Sequence, residues 1–546
     1  MRLQIHEIFN SFNEISNTTL TLKLHEVSST ITSLTLTNWS TVFLFIILSY
    51  TAKFYFSYFT RNNPLPGPLP LPIIGNAYLF RGDLPEVFFN LQTKYGTIFE
   101  LYFNSKRVIW LGDAKLLKKL NDPSLKTNFP YRALGSWIDE IKMTGLGLSL
   151  NNHMNAWRFN RLRIGQSLTV SSLFRQLVQI MGKTFNELEG YWILLSKGDK
   201  VMKVDIGDWI YKFTSDTFVP TVMRKPTANM LIHYNYLTKT KNNITFEQEQ
   251  AFEMLDRIRI WQKSILFFYF LPKFIRHYIP PFNFLNYKYM YNINWLNDYF
   301  TNIVKRRRKE IENTPKGEPL SSDILTSLIS QNSHLSTEFG TEKNEYDRPM
   351  TDEEIMRVTI EAIVVGTAPL GSGLSFAVYN IAKNPAAQSK LHDEIDRVIG
   401  KDMNRPITYE DLIKLDYLEA CFKESLRMTA VIPFIFKASI KEDIVADLKW
   451  DAQQEFFINI YYIHQSKAHW PDPESFRPER FLGENIEEHS HIPFGGGIRI
   501  CPGRHLALIS AKIFLTLIFR KYRIELVDDN SFSKSYDLDN RCDKLE

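Results

Sequence analysis

Cysteine is scarce in this sequence, because its 546 residues include only Cys421, Cys501 and Cys542. Three cysteines at these wide spacings exclude a disulfide framework and a CxxC metal site. We therefore expect a reducing compartment, where any cysteine chemistry uses one thiol at a time. The 44% hydrophobic and 23% charged residues are typical of a folded protein rather than of a disordered or fibrous one.

A strong excess of one charge is also missing, since the formal net charge is +5. Composition therefore gives no support for a nucleic-acid partner. The basic run Lys305–Lys309, KRRRK, resembles a nucleic-acid patch. A single run at the end of a helix is more typical of a solvated helix face, which is what we predict.

Charged side chains are absent from Val27 to Ala52, and the stretch is most apolar at Val42–Leu48. Because a helix spans a membrane with about 20 residues, we predict a membrane anchor at residues 27–60. A buried core helix is the alternative, since Ser and Thr dilute the run and Lys53 would have to reach the interface. Lys53 and Arg61 follow the span, so the positive-inside rule favours a cytoplasmic C-terminal body.

Residues 1–26 then form an N-terminal extension. Residues 61–76 include NPLPGPLPLPIIGN, whose proline density excludes a helix and predicts a stiff, extended hinge. Residues 77–546 form the body of the chain.

The body is predicted to be mostly helical, with few strands. Two segments between Lys94 and Asp113, KYGTIFELYF and KRVIWLGD, predict a hairpin, and Glu455–Ile463 predicts another strand. The aromatic-rich tract Phe252–Glu310 predicts a long helical region. Its apolar side chains either pack in the core or form a surface lip that dips into a membrane.

The sequence FGGGIRICPG places three glycines, an arginine and a cysteine before an apolar helix, without the GxGxxG or GKS spacing of a phosphate loop. We predict that a helix starts at Cys501 with Pro502 in its first turn, so that the helix dipole favours a thiolate. This thiolate is either a nucleophile, with His505 as a possible base, or a metal ligand. Glycines 495–497 let the backbone approach a broad flat ligand, and Arg499 can bind a carboxylate on it. A flat ligand with carboxylates and an axial metal site is haem.

FGGGIRICPG, Phe494–Gly503, resembles the haem-binding loop of the cytochrome P-450 family. The resemblance implies a heme b cofactor whose iron takes Cys501 as its axial thiolate ligand. It also implies that Phe494, Gly497, Arg499 and Gly503 bind the cofactor.

Other motifs resemble the family in the same order along the chain. KESLRM is similar to the ExxR helix, FRPERF to the segment that completes its buried cluster, and AWRFNR to a helix that donates to a haem propionate. The resemblance implies that Trp157, Arg161 and Lys437 bind propionates and that Glu424, Arg427 and Arg480 hold the core together. It implies one mainly α cytochrome P-450-like fold with a small segregated β region, preceded by the anchor helix.

One segment departs from the family pattern. Thr351–Pro385 begins with a capping box and resembles the long helix that crosses the haem. The family's A-G-x-D/E-T-T segment falls on VGTAPL, which keeps Gly366 but has Ala368 and Pro369 at the acid and alcohol positions. We expect Pro369 to kink the helix, with Thr367, Ser372 or a substrate hydroxyl replacing the lost proton donors.

The resemblance therefore implies a haem-thiolate monooxygenase in the endoplasmic reticulum membrane, with one span and a catalytic domain facing the cytoplasm. Its partners would be an NADPH-dependent P-450 reductase, cytochrome b5 as an additional electron donor, and a lipophilic substrate. Two alternatives stay open. One is an isomerase or lyase that acts on a peroxide or preoxidised substrate without a reductase. The other is a low-turnover haem-binding sensor or partner protein.

Overall fold

A computed structural model describes residues 36–132, 135, 137–168, 171–240, 244–315, 317–331, 348–483, 485–528, 532–536 and 540–545. The chain forms two compact units. The first contains residues up to 64 together with Leu71–Ile74, and the second contains Leu65–Pro70 and residues from 75 onward. The predicted extension at 1–26 and the start of the predicted anchor, 27–35, lie outside the described residues.

The first unit contains helix α1, Leu36–Phe59. Its 24 residues rise about 36 Å, more than the roughly 30 Å hydrocarbon core of a bilayer. Its apolar side chains are exposed, with Phe43 at 65% and Phe45 at 70%. Trp39–Phe59 is long and apolar enough to cross a membrane, as the sequence predicted. Its exposure argues against the alternative of a buried core helix.

The second unit is mainly helical, as predicted. Its α-helices are α2 Leu84–Tyr95, α3 Leu117–Leu120, α4 Trp137–Glu140, α5 Met154–Leu168, α6 Ser171–Ser196, α7 Ile206–Met223, α8 Asn229–Thr238, α9 Phe246–Phe270, α10 Lys273–Tyr278, α11 Phe282–Asn313, α12 Ile324–Ser330, α13 Asp352–Lys383, α14 Pro385–Ile399, α15 Tyr409–Leu412, α16 Asp416–Met428, α17 Ile460–Gln465 and α18 Arg504–Lys521. Short 3-10 turns lie at Ala77–Leu79, Ala114–Leu116, Pro478–Phe481 and Gly497–Arg499.

Strands form three small sheets. They are β1 Ile98–Phe103, β2 Lys106–Leu111, β3 Phe434–Ala438, β4 Asp443–Val445, β5 Leu448–Trp450, β6 Glu455–Asn459, β7 Phe532–Tyr536 and β8 Asn540–Leu545. The largest sheet has the order β1-β2-β6-β3, while β4 pairs with β5 and β7 with β8. The predicted hairpin is confirmed as β1 and β2. The predicted strand at 455–463 is right only for its first half, because the chain turns into α17 at Ile460.

Helix α13 runs through the core of this unit and packs against α7, α11, α16 and α18. Its predicted capping box is present: the Thr351 hydroxyl accepts from the Glu354 backbone N–H at 3.2 Å, and the Glu354 carboxylate accepts from the Thr351 N–H at 2.9 Å. The helix continues through Pro369 to Lys383, so the proline does not end it.

The predicted hinge, 61–76, has no helix, in agreement with its proline content. Its residues in the second unit pair with strand β1. The Glu100 N–H donates to the Pro66 carbonyl at 3.0 Å, and the Tyr102 N–H donates to the Asn76 side chain at 2.7 Å. Part of this segment is therefore bonded to the body rather than being a free spacer.

The KRRRK run does not form one uniformly solvated face. Arg306 is exposed beside Glu310, but Arg307 is largely buried, where it pairs with Asp323 and donates to the Met223 carbonyl. Arg308 pairs with Asp352 at the start of α13. The middle of the run therefore joins helix α11 to its neighbours.

Candidate active site

The cysteine loop is shaped by its own backbone hydrogen bonds. The Cys501 N–H donates to the Phe494 carbonyl at 3.0 Å, and the Gly495 N–H donates to the Ile492 carbonyl at 2.9 Å. Helix α18 starts at Arg504 with Gly503 as its N-cap, so the prediction of a helix start at Cys501 is wrong. Cys501 lies in the loop just before that helix.

Glycine is required in this loop because another part of the chain comes close to it. Gly495 and Gly497 have φ of +72° and +66°, the left-handed region that favours glycine. A Cβ on Gly496 would lie 2.5 Å from the Asn121 side chain, and one on Gly497 would lie 3.0 Å from the Asn121 backbone. The structure thus gives these glycines a role in chain packing that differs from the predicted approach to a flat ligand.

Burial raises the pKa of the Cys501 thiol in the protein chain alone. The Gly503 backbone N–H and the charges of Arg161, Arg504 and Arg132 favour the thiolate, but burial outweighs them. In the chain alone, burial therefore opposes the thiolate that the helix dipole was expected to favour. A bound cation opposite the sulfur would supply the missing stabilisation.

Four cationic side chains gather near this thiol: Arg132, Arg161, Lys437 and Arg499. Burial and mutual repulsion lower the pKa of Arg132 to about 10 and that of Arg499 to about 8. The same causes lower the pKa of Lys437 to about 7. Within the described part of the chain, no ion pair joins any of these four to a carboxylate. Buried charges without counter-charge are costly, so this donor set fits a ligand that carries carboxylates of its own.

Trp157 and Arg161 share a face of α5, as predicted. The Arg161 guanidinium lies 5.6 Å from the Trp157 ring centre, and that of Arg499 lies 4.2 Å from it. Trp157 therefore links two of the cations that the sequence assigned to the cofactor.

Arg499 and Lys437 both bond to main-chain carbonyls. Arg499 Nε donates to Pro130 O at 2.8 Å, and its Nη2 donates to Asn151 O at 2.6 Å. Lys437 Nζ donates to the carbonyls of Leu120 and Gly496. Both cations thus also fix the position of the chain segments around the cysteine loop.

The three predicted structural residues come together without solvent exposure. Arg427 makes a two-point contact with Glu424, at 2.8 and 2.9 Å, and Arg480 approaches the same carboxylate at 3.3 Å. Arg427 also donates to the carbonyls of His464 and Pro473, both at 2.8 Å. Glu424 and Arg427 are fully buried, and Arg480 is 1% exposed. This network fastens α16 to the segment that leads into the cysteine loop.

Helix α13 is buried along most of its length, but one side of its middle part is exposed. Val365 is 53% exposed, and Ala362, Gly366 and Pro369 are partly exposed. With 100° between successive helical residues, these four lie on one side. Thr367 and Ala368 lie on the other sides of the helix and are buried, each with 2% exposure.

The hydroxyl of Thr367 is already used within the helix, because it donates to the Ile363 carbonyl at 2.8 Å. Gly366 is constrained by close packing against helix α7, since a Cβ there would lie 2.4 Å from the Phe218 ring. Ser372 lies one turn after Pro369, next to the accessible side. The placement therefore favours Ser372 over Thr367 as a proton donor.

Two residues of the site were missed from the sequence. Arg132 lies in an unremarkable apolar stretch, and no spacing connects it with Cys501. Glu361 is a buried acid on α13 that faces Leu148 and Ser149. The one available signal for Glu361 was that it is the only charged residue between Arg357 and Lys383 of this helix.

Comparison with known proteins agrees with this arrangement. The sequence model of the cytochrome P-450 family matches residues 65–540. Cytochrome P-450 3A17 of Cavia porcellus is 24% identical over 500 residues, which cover 90% of this chain and 92% of the relative. Cytochrome P-450 4d10 of Drosophila mettleri is 25% identical over 484 residues, covering 85% and 86%.

The helical fold, the cysteine loop and the cations beside it fit a haem-thiolate type of protein, and the chain belongs to the cytochrome P-450 family. It is an oxidoreductase of the monooxygenase type. Members of this family generally bind haem through a cysteine thiolate.

Proposed function

We propose that this chain is a membrane-bound monooxygenase that holds heme b through Cys501 and inserts one oxygen atom from dioxygen into a lipophilic substrate. The observation that carries the proposal is the partly buried thiol beside four cations that form no ion pair with a carboxylate in the described residues. A cofactor with two carboxylates and a central metal would match both the cations and the thiol. An NADPH-dependent P-450 reductase supplies the electrons, with cytochrome b5 as an additional donor.

Each side chain has a role in this proposal. Cys501 is the metal ligand, within a loop formed by Phe494, Gly497 and Gly503. The propionates are held by Trp157, Arg161, Arg132, Lys437 and Arg499. Glu424, Arg427 and Arg480 keep the loop in place. When bound, haem supplies the activation of dioxygen.

Proton supply is the unusual feature of the accessible helix side. Ala368 and Pro369 cannot donate a proton, and the hydroxyl of Thr367 is bonded to Ile363. Ser372 or a hydroxyl of the substrate would deliver protons along the side that Gly366 and Pro369 line.

These same residues favour a second candidate function. An isomerase or lyase acting on a peroxide or preoxidised substrate needs no proton relay to dioxygen, because the substrate already contains the reactive oxygen atoms. Ala368 and Pro369 are compatible with that chemistry without any replacement donor.

We further propose an endoplasmic reticulum location, with residues 27–60 as the single span, 61–76 as the hinge and 77–546 facing the cytoplasm. The exposure of α1 supports the span. A second membrane contact is formed by aromatic residues around α10 and the start of α11, where Phe274 is 54% exposed, Tyr278 81% and Tyr287 70%. The preceding residues Trp261 and Phe268 are buried, so the tract Phe252–Glu310 combines core with surface lip.

The experiment is spectroscopy followed by turnover. Reduced protein with carbon monoxide should show the red-shifted Soret band of thiolate-bound haem, and Cys501→His should lose it. Oxygen consumption that needs NADPH and reductase identifies the monooxygenase, whereas conversion of an added hydroperoxide without reductase identifies the second candidate. A normal spectrum with no product on either route would leave the low-turnover binding protein. A thiolate spectrum in Cys501→His would refute the assigned ligand.

Deletion of residues 1–60 tests the membrane proposal. The shortened protein should keep haem and detach from membranes in high salt. Retention that is lost when Phe274 and Tyr278 are changed to Ser would locate the second contact in α10. Loss of haem would contradict the division into anchor and body.

A further inference from the structure

Glu361 is a buried carboxylate on helix α13, one turn before the accessible Val365, and is 6% exposed. A buried ionisable group is costly unless hydrogen bonds compensate it, so its contacts indicate what it holds in place. None of the roles proposed above uses this side chain.

The carboxylate is bonded by the loop that precedes α5. The Leu148 N–H donates to Oε2 at 2.7 Å, and the Ser149 hydroxyl donates to Oε1 at 2.7 Å. The Ser149 N–H also faces both oxygens at 3.3 Å. Gly147 has φ of +70°, and a Cβ there would lie 2.5 Å from Oε1. The loop backbone therefore closes directly onto this carboxylate.

The same loop also receives the guanidinium of Arg499. Arg499 Nη1 donates to the Leu148 carbonyl at 3.2 Å, and Nη2 donates to the Asn151 carbonyl at 2.6 Å. Leu148 therefore bonds Glu361 through its N–H and Arg499 through its C=O.

We propose that Glu361 is a positioning residue that, through Leu148 and Ser149, holds Arg499 in the place from which it binds a haem propionate. This inference rests on the proposed haem site at Cys501. Glu361 itself does not contact the reacting atoms. It acts by fixing the loop whose carbonyls orient the guanidinium.

The test compares Glu361→Gln with Glu353→Gln in the haem-loaded full chain. Glu353 is an exposed acid on the same helix and is the matched control. Glu361→Gln should release haem to apomyoglobin about fivefold faster, the effect of one lost hydrogen bond, while Glu353→Gln should match the parent chain. The propionate bending band in resonance Raman spectra should shift in Glu361→Gln and in Arg499→Lys in the same direction. Unchanged haem release and an unshifted band would overturn the inference.

A double variant separates positioning from general loosening. If Glu361 acts through Arg499, adding Glu361→Gln to Arg499→Lys should change haem release little beyond Arg499→Lys alone. Additive effects would show that Glu361 acts independently of Arg499 and would contradict the inference. Should Glu361→Gln fail to fold, Ser149→Ala removes one donor to the carboxylate and should shift the same band by less. No shift in Ser149→Ala would then count against the inference.

The proposed function fails on a different result. If the parent chain gives no thiolate-haem spectrum, the haem site itself is wrong. If the parent spectrum is normal and the Glu361 variants match it in haem release and in the Raman band, only the role of Glu361 is wrong.

Discussion

The cluster around Glu424 and the middle of helix α13 differ in how far they follow the family pattern. The first contains every expected residue, and its three charged groups are fully buried or nearly so and joined by hydrogen bonds. In the second, neither Ala368 nor Pro369 can carry a proton, and the nearby Thr367 is bonded within its own helix. The contrast separates two requirements: holding a cofactor loop needs a fixed charged network, whereas proton delivery can move to another group or to the substrate.

Breaking the charged network should have the largest effect. Arg427→Ala leaves Glu424 buried without its two-point partner, which should lower the free energy of unfolding by about 3–5 kcal/mol. Thermal unfolding and haem content measure this. Arg175→Ala, which breaks the exposed pair with Glu410, is the control and should cost less than about 1 kcal/mol. Equal losses in both variants would contradict the difference between buried and exposed pairs.

Restoring the lost pair on α13 should have the next largest effect. A positioned proton donor contributes on the order of 10²–10⁴-fold to a rate, so Ala368→Asp with Pro369→Thr should raise the product formed per NADPH on a surrogate substrate without a hydroxyl. Hydrogen peroxide release should fall in parallel. Ala368→Asn with Pro369→Val is the control, because it matches shape and removes the proline without adding an acid and alcohol. A parent chain that already couples tightly on this surrogate would require another relay.

Acidic pH should lower the free energy of unfolding through two histidines. His491, just before the cysteine loop, stacks on His464 of helix α17 with their ring centres 5.4 Å apart. Burial lowers the pKa of His491 to about 3 and that of His464 well below 6.5. The unfolded chain binds these protons near pH 6.5, so stability is full above that pH and falls as the pH drops towards about 3. His491 alone should cost about 2 kcal/mol at pH 5.

Urea unfolding at pH 7 and pH 5 measures this loss. His491→Phe should reduce the difference between the two pH values, and the exposed His505→Phe is the control. The same pH dependence in His491→Phe as in the parent chain would rule out a contribution from this residue.

The smallest effects should distinguish the two hydroxyls of α13. Thr367→Val removes a hydroxyl bonded to the Ile363 carbonyl, so turnover should stay within about twofold and stability within about 1 kcal/mol. Ser372→Ala should lower product formed per NADPH several-fold if Ser372 delivers protons. A larger loss of coupling in Thr367→Val than in Ser372→Ala would reverse this assignment.

The sequence predicted the fold class, and it predicted which pairs of candidate site residues share a helix face, because motifs at fixed spacing report local geometry. Glu424 and Arg427 are three apart on one helix, and Trp157 and Arg161 are four apart on another. Strand β3 was missed because its pairing with β6 brings together residues about 20 apart, which no local pattern reports. The helix start near Cys501 was placed three residues too early, which is a usual error at helix ends.

Contacts between distant segments could not be predicted. Arg132 joins the cations near Cys501 only after the chain between them has folded, and its neighbours in sequence carry no motif. The close packing of glycines 496 and 497 against Asn121 was not predicted, because Asn121 lies more than 370 residues earlier in the chain. In both cases the neighbouring residue lies too far along the chain for a local sequence pattern to identify it.

The polar groups on helix α13 also affect biosynthesis. Asp352–Lys383 is long and apolar enough to be mistaken for a second transmembrane segment as it leaves the ribosome. Arg357 and Glu361 place charge in its first third, and a charged residue raises the free energy of translocon-mediated insertion by up to roughly 2.5–3.5 kcal/mol, most when it lies at the helix centre. These charges disfavour lateral release of the helix into lipid. For the single span proposed above, this penalty would bias the nascent chain towards one membrane crossing and leave α13 free to fold in water.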